Sequence, residues 1–492
     1  MNSNNFKFYV VILLITLFHL TQVSFAQLSG SYTIPGTPFT TIKKAADSLN
    51  VVGVGTGGVI FNVTTGYTEN ITTPIIFSAT GTSGNPIVFQ KSGGGSNPII
   101  TRTDAGSLAT SIRGGAGDAV VRIEGTDYIT FNGINVSASD QGIEYGYLTY
   151  KPSGTNGCQN VTIKNCTITL NKGTSAFVAG IYLGNGTNSV SSSTGVIVTN
   201  SSGINSNIVL TGNTIQNVHD GILSLGSSAT GFYDSDITVG QASAGNILQN
   251  FGGAVADTSF GVYFRFVNNP AVNYNTINNA GGGGVPHTGS MSQILFSVVS
   301  GDIIANNNIL TMNNSSTSSS RFISNNNNTV NSETYNNNTF SGTFNTGTQT
   351  LIYTFSNITP NKTASGNTIT GITKTGGSFN GYYSAGQPAG GTETFSNNNF
   401  SNITISSGSG TVYIVYISSS TTHNVVLDNN TISNINQTGT GGQMYIINSV
   451  GVNNNEISNN SINNITTSGT IYGINFSGLN TSVHKNNIYG LS

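Results

Sequence analysis

The chain has 492 residues, of which 7% are charged, and a formal net charge of −2. An ordinary soluble domain has about 25% charged residues; this balance supplies no basic field for nucleic acid and no acidic tail. Gly is abundant at 63 and Trp is absent. A polar, low-charge mixture of this kind stays disordered unless apolar residues keep returning in short runs, and here they do.

The first residues read as an address. Lys7 precedes an apolar run from Phe8 to Leu20, then Ser24-Phe25-Ala26 forms a small-x-small cleavage site. The run is shorter than the ~20 residues of a membrane span, so residues 1–26 are expected to be a signal peptide, cleaved before Gln27. No later segment reads as a span, which places the mature chain outside the cell. Residues 27–58 form an N-terminal cap: Ile42, Ala45, Ala46 and Leu49 share one helical face behind a threonine cap, with Lys43 and Lys44 exposed.

From residue 59 to 492 the signals are strands. Val59-Ile60-Phe61-Asn62-Val63, Tyr128-Ile129-Thr130-Phe131 and Tyr413-Ile414-Val415-Tyr416-Ile417 are short apolar runs bounded by Gly, Asn and Ser. Cys158 and Cys166 flank one such strand. A straight strand between them separates their Cα atoms by roughly 25 Å, and a disulfide needs about 4.4–6.8 Å, so both are expected to be unpaired. Cys166 aligns with the asparagines described next and is expected to be buried.

An Asn-x-(Ile/Leu/Phe) triplet then recurs about every 30 residues. Its third residue falls at Ile215, Leu248, Ile277, Leu310, Phe340, Ile369, Phe400, Ile432, Ile462 and, as Tyr, at Tyr489; the successive differences are 33, 29, 33, 30, 29, 31, 32, 30 and 27. A fixed period of this length means stacked supersecondary units sharing one core. Each unit adds a second run, such as Leu351-Ile352-Tyr353, and a weaker third, such as Asn424-Val425-Val426-Leu427. Three short strands per unit describe one coil of a parallel β-helix. The triplet asparagine is expected to take the left-handed corner conformation and to stack its amides into a ladder.

Gly180-Ile181-Tyr182-Leu183 and Gly212-Asn213-Thr214-Ile215, with the opening from Tyr32 to Glu69, resemble the right-handed parallel β-helix proteins of the pectin-lyase-like superfamily. They also resemble exported bacterial β-helix proteins that often end in a type IX secretion sorting domain. The resemblance implies an all-β right-handed parallel β-helix and covers nearly all of the mature chain. The final Asn487-Ile488-Tyr489-Gly490-Leu491-Ser492 lies inside a repeat, which suggests a chain truncated at its C-terminal end. The superfamily contains polysaccharide lyases and glycoside hydrolases. The Asn-x-Asp, Asp-Asp, Gly-His-Gly and Arg-x-Lys motifs of its polygalacturonase-like members do not occur in this sequence.

Chemistry-bearing residues are sparse. After Asp302 the acidic residues are Glu333, Glu393, Asp428 and Glu456, too few per coil for a carboxylate pair or a calcium site. The densest stretch, 219–265, holds His219, Asp220, Asp234, Asp236, Asp257 and Arg265. These are the candidate catalytic residues, with Asp234 and Asp236 as candidate Ca²⁺ ligands and Arg265 as a uronate partner. Against that stands the reading of Asp220, Asp234 and Asp236 as turn residues. Glu124, Asp127, Asp140 and Glu144 form a thinner cluster, and His287 reads as a solvated loop histidine. Tyr353, Tyr382, Tyr413, Tyr445 and Tyr472 fall at equivalent points of successive coils. Outward, they would form a sugar platform; parity with Phe355, Val415, Ile417, Ile474 and Phe476 turns them inward. The expected function is a non-enzymatic extracellular adhesion or interaction module contacting polysaccharide or cell-surface components. A lyase or hydrolase with its site near 219–265 and a structural stalk are the alternatives, and Ca²⁺ is the one cofactor in view.

Overall fold

The computed structural model describes residues 26–107, 118–173, 177–186, 195–253, 256–326, 330–355, 361–385, 390–406, 410–418, 423–439 and 442–492. The proposed signal peptide lies outside them, except Ala26. Among the described residues there is one α-helix, and the rest of the regular structure is strand and short 3₁₀ turns. No helix among them is long and apolar enough to cross a membrane.

The strands wind into a parallel β-helix with three sheet faces; the first two are joined by long strands such as Gln443–Ser458 into one 27-stranded sheet. One representative coil runs Ser320–Asn326 in the first sheet, Ser332–Thr334 in the second and Thr339–Phe344 in the third. Each strand pairs in parallel with its counterpart one coil on: Ile323 with Ile352, Glu333 with Lys362, Phe340 with Ile369. The third sheet has 14 strands, and the apolar residue of every triplet from Ile215 to Ile462 is buried along it. The last coil shifts by one residue from expectation. Ile488 pairs with Ile462, and Tyr489 pairs with Asn463 and points outward, 53% exposed.

The asparagines form the ladder their spacing predicts. At the corner before the third sheet, Asn308 Nδ2 and its backbone N–H both donate to Asn338 Oδ1 at 3.0 Å. Asn338 repeats this toward Asn367, and its Nδ2 also reaches Ala305 O of the previous coil at 2.8 Å. The same pattern runs from Asn213 to Asn486. At every rung but Asn246, however, the left-handed residue is the one before the ladder position: Asn165, Gly212, Tyr274, Asn307, Asn337, Gly366, Asn397, Asn429, Asn459 and Lys485. The expectation that the triplet asparagine itself turns the corner is therefore corrected. Its side chain is committed to the ladder, and its neighbour makes the bend.

Both cysteines are free and buried. Cys166 N–H donates to Asn213 Oδ1, so it occupies the ladder position as aligned. Cys158 N–H donates in the same way to Asn205 Oδ1 at a second corner. Burial pushes the two thiols up to about 12 for Cys158 and about 11 for Cys166.

The cap helix spans Ile42–Val52 and buries Ile42, Ala45, Ala46 and Leu49, as its pattern predicts. Thr41 accepts from the Lys44 N–H. The Glu69 carboxylate, from a later strand, accepts from the Ile42 and Lys43 N–H groups at 2.6 and 2.9 Å. An anion at a helix N-terminus is favourable; this one also ties the cap to the coil beneath it.

In the first sheet the pleat breaks once per strand. Thr350 pairs with Asn380 and Ile352 with Tyr382, while the residues between them, Leu351 and Gly381, stay out of the register. Two consecutive residues then face the core: Phe322 and Ile323, Leu351 and Ile352, Ile414 and Val415, Ile446 and Ile447. Side-chain parity inverts across that point. The inward reading of the tyrosines fails for this reason. Tyr353, Tyr413, Tyr445 and Tyr472 are partly exposed on the outer face, and only Tyr382, within an inward pair, is core.

Candidate ligand-binding face

The break in the pleat lays two outward files of side chains along the first sheet. One runs Leu295, Ser324, Tyr353, Tyr383, Tyr416, Asn448. The other runs Phe260, Ser292, Arg321, Thr350, Asn380, Tyr413, Tyr445, Tyr472. Within each file the rings stack on one another. Centroids lie 5.7 Å apart for Tyr353–Tyr383 and 4.5 Å for Tyr383–Tyr416. In the second file they are 5.0 Å for Tyr413–Tyr445 and 4.4 Å for Tyr445–Tyr472. Tyr413 meets Tyr416 edge-on and joins the files.

A notch interrupts the second file where it carries small residues. It encloses about 290 Å³, with Arg321 at one end, Tyr413 at the other, Tyr353 and Tyr383 along one side, and Thr350 and Asn380 between. Three coil steps separate its ends, roughly 14 Å. Tyr413 is the first tyrosine of its file, and its register neighbour in the preceding coil is Asn380 rather than another ring. Asn380 Nδ2 donates to Thr350 Oγ1 at 3.1 Å. The Arg321 guanidinium lies 3.7 Å from the Tyr353 ring centre and donates through Nη1 to Ser324 and Asn326. Burial draws its pKa below the usual arginine value, and Tyr353 opposes that; an arginine remains charged at any working pH. Burial and neighbouring tyrosines raise the phenols of Tyr383 and Tyr413, so both are neutral hydrogen-bonding groups.

The residues of 219–265 are dispersed. Asp234 is fully buried and ion-pairs with the equally buried Lys151 at 2.6 Å. It also accepts from the Asn205 N–H and Nδ2 at 2.9 and 3.0 Å. It thereby continues the second corner's ladder, from Cys158 through Asn205, as a structural residue rather than a turn residue. Burial raises its pKa, with Lys151 opposing. Asp236 is exposed, left-handed at φ 55°, and accepts from Asn269. The two candidate Ca²⁺ ligands thus face different environments, one sealed inside and one in solvent. Among the described residues no group of three or more His, Cys, Asp and Glu is placed to hold a metal ion.

Asp220 and Arg265 lie on the strands of the first sheet. Asp220 is buried, 3.3 Å from His219 Nδ1, and accepts from the Phe260 N–H at 2.7 Å. Arg265 packs over the Phe266 ring. Asp257 is exposed, and its carbonyl meets His287 Nε2 at 3.0 Å. His287 is fully buried, not solvated, and its ring also meets Gly253 and Ser290 backbone groups. Of the thinner cluster, Glu124 pairs with Arg122, Asp127 accepts from the Gln159 N–H, Asp140 closes a turn at Gly142, and Glu144 is buried. The sequence reading missed Arg321, Tyr383 and Asn380; the recurring mid-coil tyrosines were the signal that led to that strand.

No family model matches the chain, and no curated protein matches it. Among solved structures it is similar to a GH136 lacto-N-biosidase from Eubacterium ramulus, with 10% identity and a TM-score of 0.41 over 94% of this chain and 68% of that one. It is similar to PfbA, a surface adhesin of Streptococcus pneumoniae, with 11% identity and a TM-score of 0.40 over 81% and 89%. A third is a mannuronic acid specific family 6 polysaccharide lyase from human gut microbiota, with 13% identity and a TM-score of 0.36 over 87% and 86%. At such identities and scores none of these carries a function across to this chain.

Proposed function

We propose that this chain is an extracellular, non-enzymatic β-helix that binds polysaccharide through the outer face of its first sheet, as an adhesion or interaction module. The notch between Arg321 and Tyr413 carries the reading. It offers a tyrosine ring for a sugar to pack on and amide and hydroxyl groups for its oxygens, an apolar surface with a few convergent polar groups. Its lining residues include no Asp, Glu or His, so the two-carboxylate chemistry of glycoside hydrolysis has no groups there. Export and surface display belong to the same reading and rest on the leader residues.

The test is affinity electrophoresis through gels containing acidic or neutral polysaccharides, with a parallel assay for reducing ends and unsaturated products, with and without Ca²⁺. Retardation without product is expected. Tyr413→Ala should weaken binding roughly tenfold, the loss of about one aromatic stacking contact, in protein whose circular dichroism shows it still folded. A cleavage function has one supporting observation, that Asp220 and Arg265 sit on the same sheet as the notch. Product formation lost in Asp220→Asn would replace the binding reading with that one.

A further inference from the structure

Arg321 is a cation whose neighbourhood does not balance it. It forms no ion pair with any described residue, and the other residues lining the notch are Ser, Thr, Asn and Tyr. It is also half-buried, and taking charge out of water is costly unless an opposite charge meets it. The Tyr353 ring holds the guanidinium face-on, and the bonds to Ser324 and Asn326 both leave from Nη1. A guanidinium carries five donors in a fixed fork, so its orientation is set while donors remain for a planar or tetrahedral anion. In a chain with 7% charged residues, an arginine held in this way at the end of a sugar-sized notch marks what the ligand brings.

We propose that the notch selects sugar units bearing an anionic substituent, a carboxylate or a sulfate ester, which Arg321 engages while the ring stacks against Tyr413. This rests on the polysaccharide reading above. The sugar spans the gap over Thr350 and Asn380, and neutral chains reach the same aromatic face without the charged contact.

The experiment titrates the protein with three oligosaccharide pools of matched length: carboxylated oligouronate, sulfated oligogalactan and neutral oligogalactan, at low and high salt. At least one anionic pool should bind ten- to a hundredfold more tightly than the neutral one, roughly the range of a charge-assisted hydrogen bond, and salt should erode the difference. Arg321→Gln should abolish the preference, Arg321→Lys should restore part of it, and Tyr413→Ala should weaken every pool. Which anionic pool responds identifies the substituent. Equal binding of charged and neutral pools, indifferent to Arg321→Gln, would overturn the anion selection and leave polysaccharide binding standing. No binding of any pool by folded wild-type protein would overturn both.

Discussion

Asp234 shows how a single residue can be misread from its neighbours in sequence. Between Tyr233 and Ser235 it looks like a turn aspartate or half of a calcium pair. Its actual partner, Lys151, lies 83 residues earlier, and no local pattern announces it. Removing one member of a buried ion pair strands the other charge, at a cost of about 3–5 kcal/mol. Asp234→Ala should therefore lower stability by that amount in chemical denaturation, and a loss under about 1 kcal/mol would contradict the buried pair. Asp236→Asn, on the exposed surface and in a left-handed conformation that asparagine also tolerates, should change stability by less than about 0.5 kcal/mol. Asp236 is thus the clean position at which to test a Ca²⁺ role, since Asp234 variants would confuse lost function with lost folding.

At the scale of the element, the asparagine ladder and the pleat of the first sheet contrast. The ladder was legible because its chemistry repeats: a donor and an acceptor on one short side chain, once per coil, can satisfy backbone groups at a corner where strand pairing stops. Asn338→Ala would leave the Asn308 amide and its backbone N–H without an acceptor and Ala305 O without a donor. The expected loss is on the order of 3 kcal/mol, read from the denaturation midpoint, with a shift under 1 kcal/mol counting against the ladder. The pleat was not legible. Period-two parity assumes a regular strand, and the extra inward residue between Thr350 and Ile352 is invisible in a run where every position is apolar or small. That one break moves Tyr353 and Tyr413 from core to surface, and with them the candidate site.

For the molecule as a whole, two buried histidines contribute to its response to acid. Burial lowers the pKa of His287, helped by His219 and opposed by the carbonyls of Gly253, Ser290 and Asp257. Burial likewise lowers that of His423, with Glu393 opposing and Lys362 adding to it. The folded state thus favours neutral rings. Their contribution to stability is fully present above the unfolded histidine value of about 6.5 and is lost as pH falls below it through the folded-state values. Melting temperatures at pH 7.5 and 5.5 should therefore differ more for wild type than for a His287→Gln, His423→Gln double variant; equal differences would show that these rings do not carry the effect.

What the sequence by itself determined is the repeat, and through it the β-helix, the capped N-terminus, the amide ladder and the unpaired cysteines. Each follows from residue type at a fixed spacing, and stacking identical coils turns spacing directly into position. What only the tertiary structure decided is which side chains of a coil meet those of another. Lys151 finds Asp234, Glu69 reaches the cap helix, and Arg321 settles on Tyr353 because coil lengths and one pleat break set their register. A period near 30 predicts that coils stack, but a shift of one residue within a coil decides whether a tyrosine packs the core or faces a ligand.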